Sequence, residues 1–140
     1  MTELDLLISK ILNMPADREI DALVAENVMG WSRDKNYWKE VDGFRHSVDS
    51  DYDNPGWYPS TDIAAAWEVH KMAISWGFNK RRVYLDYLQY CVSKRVASEE
   101  TTISWPDVLV LIEPIDFCRA ALLTVREDKI AGGFQKMPEC

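Results

Sequence analysis

Residues 58–69 constrain the fold of this chain more than any other segment. They read Tyr-Pro-Ser-Thr-Asp-Ile-Ala-Ala-Ala-Trp-Glu-Val, so a loop ends there and a helix begins. Serine and threonine hydroxyls accept the unpaired N–H groups of a first helical turn, and Ser60 or Thr61 is predicted to cap this helix. Gly77 marks its predicted end. Helical spacing predicts its buried face as Ile63, Ala66, Trp67, His70 and Ile74.

Two amphipathic helices are predicted before this segment. The first covers residues 2–13, with Thr2 and Asp5 as a reciprocal capping pair. Asp17 can cap the second, and Gly30 is placed to end it in the left-handed conformation. The apolar stripe of the second helix is Ile20, Leu23, Val24, Val28 and Trp31.

The remaining segments predict a small sheet and one more helix. Residues 32–59 read as a long loop with a short strand near 37–41, and residues 82–92 as a central strand because both alternating faces are mostly apolar. Residues 102–105 are predicted to return as an antiparallel neighbour. Residues 108–112 fit a buried strand or a helical turn equally well.

A last helix is predicted to begin at Pro114, followed by a loose tail over residues 128–140. Residues 1–127 then form one domain, and a chain of 140 residues buries roughly 70% of its unfolded surface. The predicted fold class is α+β, with helices packed around a small, mainly antiparallel sheet in a layered sandwich of α/β/α type.

Composition and charge exclude several classes of function. No apolar run approaches the roughly 20 residues of a membrane span, and Glu3 and Asp5 do not suit a secretory signal, so a cytoplasmic protein without membrane contact is expected. Cys91, Cys118 and Cys140 form no Cys-x-x-Cys pair, which argues against a zinc site or disulfide framework. The net charge of −7 argues against nonspecific nucleic-acid binding.

Three alternating carboxylates are weak candidates for a metal site. Asp49, Asp51 and Asp53 match the first ligands of a calcium loop, but Asn54 replaces the turn glycine and Ser60 the bidentate glutamate. A solvated acidic loop is the favoured interpretation. The sequence contains neither a Gly-x-Ser-x-Gly elbow nor a phosphate-binding glycine loop, and no cofactor or catalytic set is predicted.

An aromatic-rich segment is the best candidate for binding a ligand or partner. Rings can stack on a flat ligand or anchor a protein, and guanidinium groups hold anions. Trp31, Trp57 and Tyr58 are assigned to covering the core, and His70 to a partly buried structural role. The candidate binding residues are Arg33, Trp38, Phe44, Arg45, His46 and Tyr52.

Residues 18–31 and 58–69, together with the Phe-Cys-Arg-Ala-Ala-Leu-Leu run at 117–123, resemble the phage ABA-sandwich domain family of bacteriophage and prophage proteins. The order of elements is more loosely similar to the NinX-like phage proteins. The resemblance implies an α+β fold and a phage source, and it carries over no catalytic residue. An added N-terminal helix, a longer loop over 32–54 and residues 107–113 depart from the family pattern.

These observations lead to a hypothesis of function with open alternatives. The chain is predicted to be a phage-encoded, non-enzymatic binding protein, a counter-defence inhibitor that acts on a host defence protein or sequesters a small nucleotide. A metal-dependent nucleotide hydrolase built on Asp49, Asp51 and Asp53 is one alternative. A virion or assembly accessory protein is another. A homo-oligomer is compatible with each of these functions.

Overall fold

The structure is a computed structural model that describes residues 2–50, 55–97 and 102–134, with side chains to residue 127. The described helices are α1 (Glu3–Leu12), α2 (Arg18–Asn27), α3 (Ile63–Ile74), α4 (Phe78–Ala97), α5 (Trp105–Leu111) and α6 (Pro114–Phe134). The described strands are β1 (Ser32–Asp34), β2 (Tyr37–Lys39) and β3 (Arg45–Ser47), paired antiparallel in the order β1-β2-β3. The predicted α+β class, helices around a small sheet, is confirmed.

The first two helices begin where the sequence predicts. In α1 the Thr2 hydroxyl accepts the Asp5 N–H at 3.0 Å, and the Asp5 carboxylate accepts the Thr2 N–H at 3.3 Å. Asp17 caps α2 by accepting the Glu19 N–H at 3.0 Å. Gly30 follows α2 with φ +75°, a conformation that glycine adopts without strain. Local capping and spacing were therefore sufficient to locate these helices.

The predicted cap and buried face of α3 are wrong by a small shift. Asp62, rather than Ser60 or Thr61, caps the helix by accepting the Ala65 N–H at 3.4 Å. Ile63 and Trp67 remain 55% and 51% exposed. The buried residues are Ala65, Ala66, Val69 and Ala73. Small side chains on this face allow α3 to approach α6 closely, which places the larger apolar residues at the edge of the contact.

The predicted central strand over residues 82–92 is wrong, because this segment lies inside α4. Its buried residues include Tyr84, Leu88, Cys91 and Val92, whose spacing of four, three and one residues is that of a helix face. The predicted strand over residues 102–105 is also wrong, since α5 begins at Trp105. Residues 108–112, left open between strand and helix, are helical up to Leu111.

The sheet lies in the segment that was predicted to be a long loop. The predicted short strand is present as β2 (Tyr37–Lys39), but the loop prediction missed β1 and β3 on either side of it. Arg33 pairs with Trp38, and Trp38 with His46, so these three residues form one row across the sheet.

The helices pack around α6, which contacts α1, α2, α3 and α4. As predicted, Cys91 and Cys118 are buried, and their burial raises the pKa of each thiol. The α6 helix continues to Phe134, into the segment that was predicted to be a tail. Residues 135–140 lie outside the described part of the chain.

Candidate functional site

The connection between β2 and β3 is a tight turn with two exposed apolar side chains. Three hydrogen bonds close it: Glu40 N–H to Phe44 O at 2.8 Å, Gly43 N–H to Glu40 O at 2.9 Å, and Phe44 N–H to Asp42 Oδ1 at 3.0 Å. Gly43 has φ +98°, which disfavours any residue with a side chain there. Val41 is 95% and Phe44 61% exposed. Strands β2 and β3 with this turn form the β2–β3 hairpin.

The β2–β3 hairpin is fixed to the rest of the domain by stacked rings. The His46 imidazole lies 4.2 Å from the Trp31 ring at an interplanar angle of 11°, and Trp57 lies 4.6 Å from Trp31. Phe44 contacts His46 edge-on at 5.0 Å. Trp31 lies four residues after the end of α2 and Trp57 six residues before α3, so these contacts join the hairpin to the segments that flank two helices.

His46 is held on two sides, by the Glu40 carboxylate and by the Trp31 ring. Its Nε2 lies 2.6 Å from the Glu40 carboxylate, while the ring face covers Trp31. Both side chains of the His46–Glu40 pair are mostly buried. The two contacts together fix the orientation of the imidazole ring.

A cleft of about 360 Å³ separates the β2–β3 hairpin from α3, and its volume falls within the usual range of small-ligand sites. It is called here the sheet–α3 cleft. Its side chains include Phe44, Arg45, His46, Trp57, Asp62 and Glu68. Glu68 accepts the Trp57 Nε1–H at 3.4 Å, whereas Asp62 caps α3. The cleft thus combines rings and one guanidinium group with two carboxylates.

The structure brings three of the predicted binding residues together at the cleft: Phe44, Arg45 and His46. Arg45 is half-exposed, pairs with Asp34 at 3.2 Å and lies over the Tyr37 ring. Tyr52 falls outside the described residues. The three predicted residues at the cleft are consecutive in the chain, at the end of the turn and the start of β3.

Trp38 is not accessible in the way that its sequence suggests, whereas Arg33 is exposed. Trp38 is only 2% exposed, and the Arg33 guanidinium lies 5.4 Å from its ring centroid. Together they line a separate cavity of about 50 Å³, too small for a nucleotide. The ring is buried because β2 turns this face toward Val48 and Trp57. Trp38 is therefore part of the core.

The acidic loop has only one described member of the candidate metal set. Asp49 pairs with Arg18 at 2.8 Å, an ion pair on the surface. Asp51 and Asp53 lie outside the described residues. Within the described ranges, no group of three or more His, Cys, Asp or Glu side chains is placed to hold a metal ion.

His70 has the structural role that was predicted. Its Nδ1 lies 2.8 Å from the Tyr84 hydroxyl, and its ring packs against Trp67 and Phe117. Burial lowers the pKa of His70, because the charged imidazolium is less well solvated there than in water. Tyr84 is buried too, and burial raises its pKa.

Sequence reasoning missed three residues at the site: Val41, Asp62 and Glu68. Val41 stands at a turn that becomes visible only when β2 and β3 are both recognised, and the two carboxylates reach the cleft because α3 packs beside the sheet.

None of the described helices combines the length and apolar character that a membrane span requires. No family model, curated protein or solved structure matches the chain.

Proposed function

We propose that this protein is a phage-encoded, non-enzymatic inhibitor that binds a host defence protein through the β2–β3 hairpin in the host cytoplasm. One observation carries the proposal: Val41 and Phe44 are exposed on a hydrogen-bonded turn beside a cleft. The phage source rests on the sequence resemblance of residues 18–31, 58–69 and 117–123.

The hairpin has the properties of a binding hot spot. Aromatic anchors dominate many protein interfaces, and affinity rises when the anchor is already held in its bound position. The Phe44 backbone accepts the Glu40 N–H and donates its own N–H to the Asp42 carboxylate, and the Phe44 ring contacts His46 edge-on. A partner that covers Phe44 and Val41 would therefore bury apolar surface without first ordering a loop.

The carboxylates of the turn and of the α3 side of the cleft favour a basic partner. Asp42 in the turn and Asp62 and Glu68 across the cleft are exposed, and the whole chain has a net charge of −7. Such a surface attracts a basic groove and accelerates association, as a nucleic acid would. Binding is expected to weaken as salt is raised, because exposed charges are screened over about 10 Å at 0.1 M ionic strength.

A small nucleotide is the second candidate ligand, favoured by the Phe44, His46 and Trp57 rings and by Arg45 at the cleft. Two nearby carboxylates, Asp62 and Glu68, would repel its phosphates, which is why a protein partner is the first candidate. The described residues contain no side-chain set that favours a metal-dependent hydrolase over either.

The test compares a hairpin variant with a matched apolar control. Val41→Ser with Phe44→Ala removes the anchor, whereas Leu109→Ser with Val110→Ser removes similarly exposed apolar residues from α5. Each protein is expressed in bacteria that carry defined defence systems, and the plating efficiency of a restricted phage is measured. We expect wild type and the α5 variant to restore plating, and the hairpin variant to lose most of that effect.

Two outcomes would reject the proposal. Relief of none of the defence systems would argue against counter-defence, and full activity of the hairpin variant would argue against the hairpin. A thermal-shift series with nucleotides and cyclic nucleotides tests the second candidate, since a ligand of the native state raises the melting temperature. A shift that disappears in Arg45→Ala would favour nucleotide sequestration instead.

A further inference from the structure

The two carboxylates of the sheet–α3 cleft are exposed and take part in none of the ion pairs within the described part of the chain. Asp62 caps α3, so part of its charge is offset by the first turn of that helix. Glu68 lies in the middle of α3, and its Oε1 accepts the Trp57 indole N–H over a long distance of 3.4 Å. Since each carboxylate oxygen can accept two hydrogen bonds, Glu68 keeps the capacity to bind a further donor.

The guanidinium group at the cleft is already matched by an acid. Arg45 lies 3.2 Å from the Asp34 carboxylate, and its guanidinium group is 5.5 Å from the Tyr37 ring centroid. Lys39 stands opposite Arg45 in the sheet but does not line the cleft. The carboxylates on the α3 side therefore make the cleft attractive to a cation.

Aromatic rings border the same space. Phe44 is mostly exposed at the rim, and His46 and Trp57 line the cleft beside it. On the opposite side α3 presents the small side chains of Ala64 and Ala65. The volume of about 360 Å³ is at the small end of the range for ligand sites. One long, flat side chain therefore fits between the rings and α3.

We propose that the sheet–α3 cleft binds an arginine side chain of the protein partner, with the guanidinium group on Glu68 and its flat face toward Phe44. The proposal rests on the proposed function, because the partner that covers the hairpin also supplies the arginine. A guanidinium group forms paired hydrogen bonds with a carboxylate and stacks on a ring, whereas an ammonium group is a compact, strongly hydrated charge. Arginine is therefore favoured over lysine.

The experiment titrates the isotope-labelled protein, observed by NMR, with blocked tripeptides that carry arginine, lysine or citrulline between two glycines. The Trp57 indole N–H signal reports on the site, since that group donates to Glu68. We expect the arginine peptide to shift this signal saturably with a Kd of about 1–10 mM, as suits a single side chain. Citrulline has the shape of arginine without its charge and is expected to bind at least about fivefold more weakly, and lysine about threefold more weakly.

Glu68→Gln is expected to weaken binding of the arginine peptide by about three- to fivefold, the range for an exposed ion pair. Glu26→Gln, which changes an exposed glutamate of α2 outside the cleft, is the matched control and is expected to bind as wild type does. The proposal is overturned if the citrulline or lysine peptide binds as tightly as the arginine peptide, if Glu68→Gln binds as wild type does, or if the arginine peptide does not saturate below about 30 mM.

The arginine site and the inhibitor can fail separately, because the peptide titration needs no host protein. Relief of a defence system by a protein that does not bind the arginine peptide would reject the arginine site alone. Binding of the peptide without relief of any defence system would reject the inhibitor and support the cleft as an arginine site.

Discussion

The helices around α6 and the β2–β3 hairpin are stabilised by different kinds of interaction. Side chains from four helices meet α6 in the core, where even a carboxylate is enclosed: Asp116 is fully buried and bound by Arg95. The hairpin has strands of three residues, and rings and surface ion pairs hold it in place. We infer that the helices supply most of the stability, and that the exposed residues of the hairpin turn can change with little effect on the fold.

The largest expected difference between the two regions comes from the buried ion pair. Asp116→Ala leaves the Arg95 guanidinium group with Glu113, at 3.3 Å, as its remaining acidic partner, and is expected to cost about 3 kcal/mol in the free energy of unfolding. The same change also removes the acceptor of the Glu113 N–H at 2.8 Å. Urea denaturation measures the effect.

Two controls make this comparison sharp. Asp86→Ala removes an exposed carboxylate from the same helical region, and a change within about 0.5 kcal/mol is expected. Phe44→Ala in the hairpin is expected to cost about 1 kcal/mol or less, because the side chain is mostly exposed. If Phe44→Ala destabilises the protein as much as Asp116→Ala, the division between the regions is wrong.

A medium effect on stability is expected at Gly56, which packs closely against Tyr58 and Ser50. A Cβ atom at Gly56 would overlap the Tyr58 ring and lie 2.8 Å from the Ser50 nitrogen, displacing the tyrosine hydroxyl that accepts the Ser50 N–H at 2.7 Å. Gly56→Ala is therefore expected to cost about 1–3 kcal/mol. Thermal unfolding measures it.

Gly77→Ala is the matched control for that substitution, since nothing lies within 4 Å of its Cβ position and its φ is negative. It is expected to leave stability unchanged or to raise it by about 0.4–1 kcal/mol. Equal effects of the two substitutions would show that Tyr58 and Ser50 can move aside to accept a Cβ atom at Gly56.

The smallest expected effect is a pH dependence inside the helical region. Because burial lowers the pKa of His70, the unfolded chain binds more protons than the folded one below 6.5, the ordinary value. The stabilisation is complete above that pH and is lost as pH falls through the lowered pKa. His70→Gln removes this titration, so the stability of the variant relative to wild type should rise as pH falls.

The quantity to measure is the difference in the free energy of unfolding between wild type and His70→Gln, by urea denaturation at several pH values. Asp21 titrates in the opposite sense, since burial raises its pKa above the ordinary 3.8, but it contributes equally to both proteins. Parallel stability curves for wild type and His70→Gln would contradict the assignment of His70 as the titrating group.

Local signals account for the correct predictions of helices, and packing accounts for the errors. Thr2, Asp17 and Gly30 act on their own turns, so α1 and α2 could be located from the sequence. The α4 segment has apolar residues on every side, which fits a central strand and a buried helix equally. Its contact with α6 determined which of the two formed. The same kind of contact selected the alanine face of α3.

The candidate site was predictable in composition but not in geometry. The sequence pointed to Phe44, Arg45 and His46, which do meet at one cleft. The sequence could not show that Trp38 is buried while Phe44 is exposed, because that difference depends on how β2 pairs with its neighbours. Glu68 reaches the cleft from a helix that follows β3 by 16 residues, a distance over which spacing carries no information.

By itself, the sequence determined the α+β class, the starts of α1, α2 and α6, and the burial of Cys91 and Cys118, because caps and apolar spacing act over one or two turns. Only the tertiary structure decided that residues 82–92 form a helix, that the predicted loop contains the sheet, and that Val41 and Phe44 face solvent while Trp38 does not. Those outcomes depend on which surfaces meet, and residues distant in the chain make that choice.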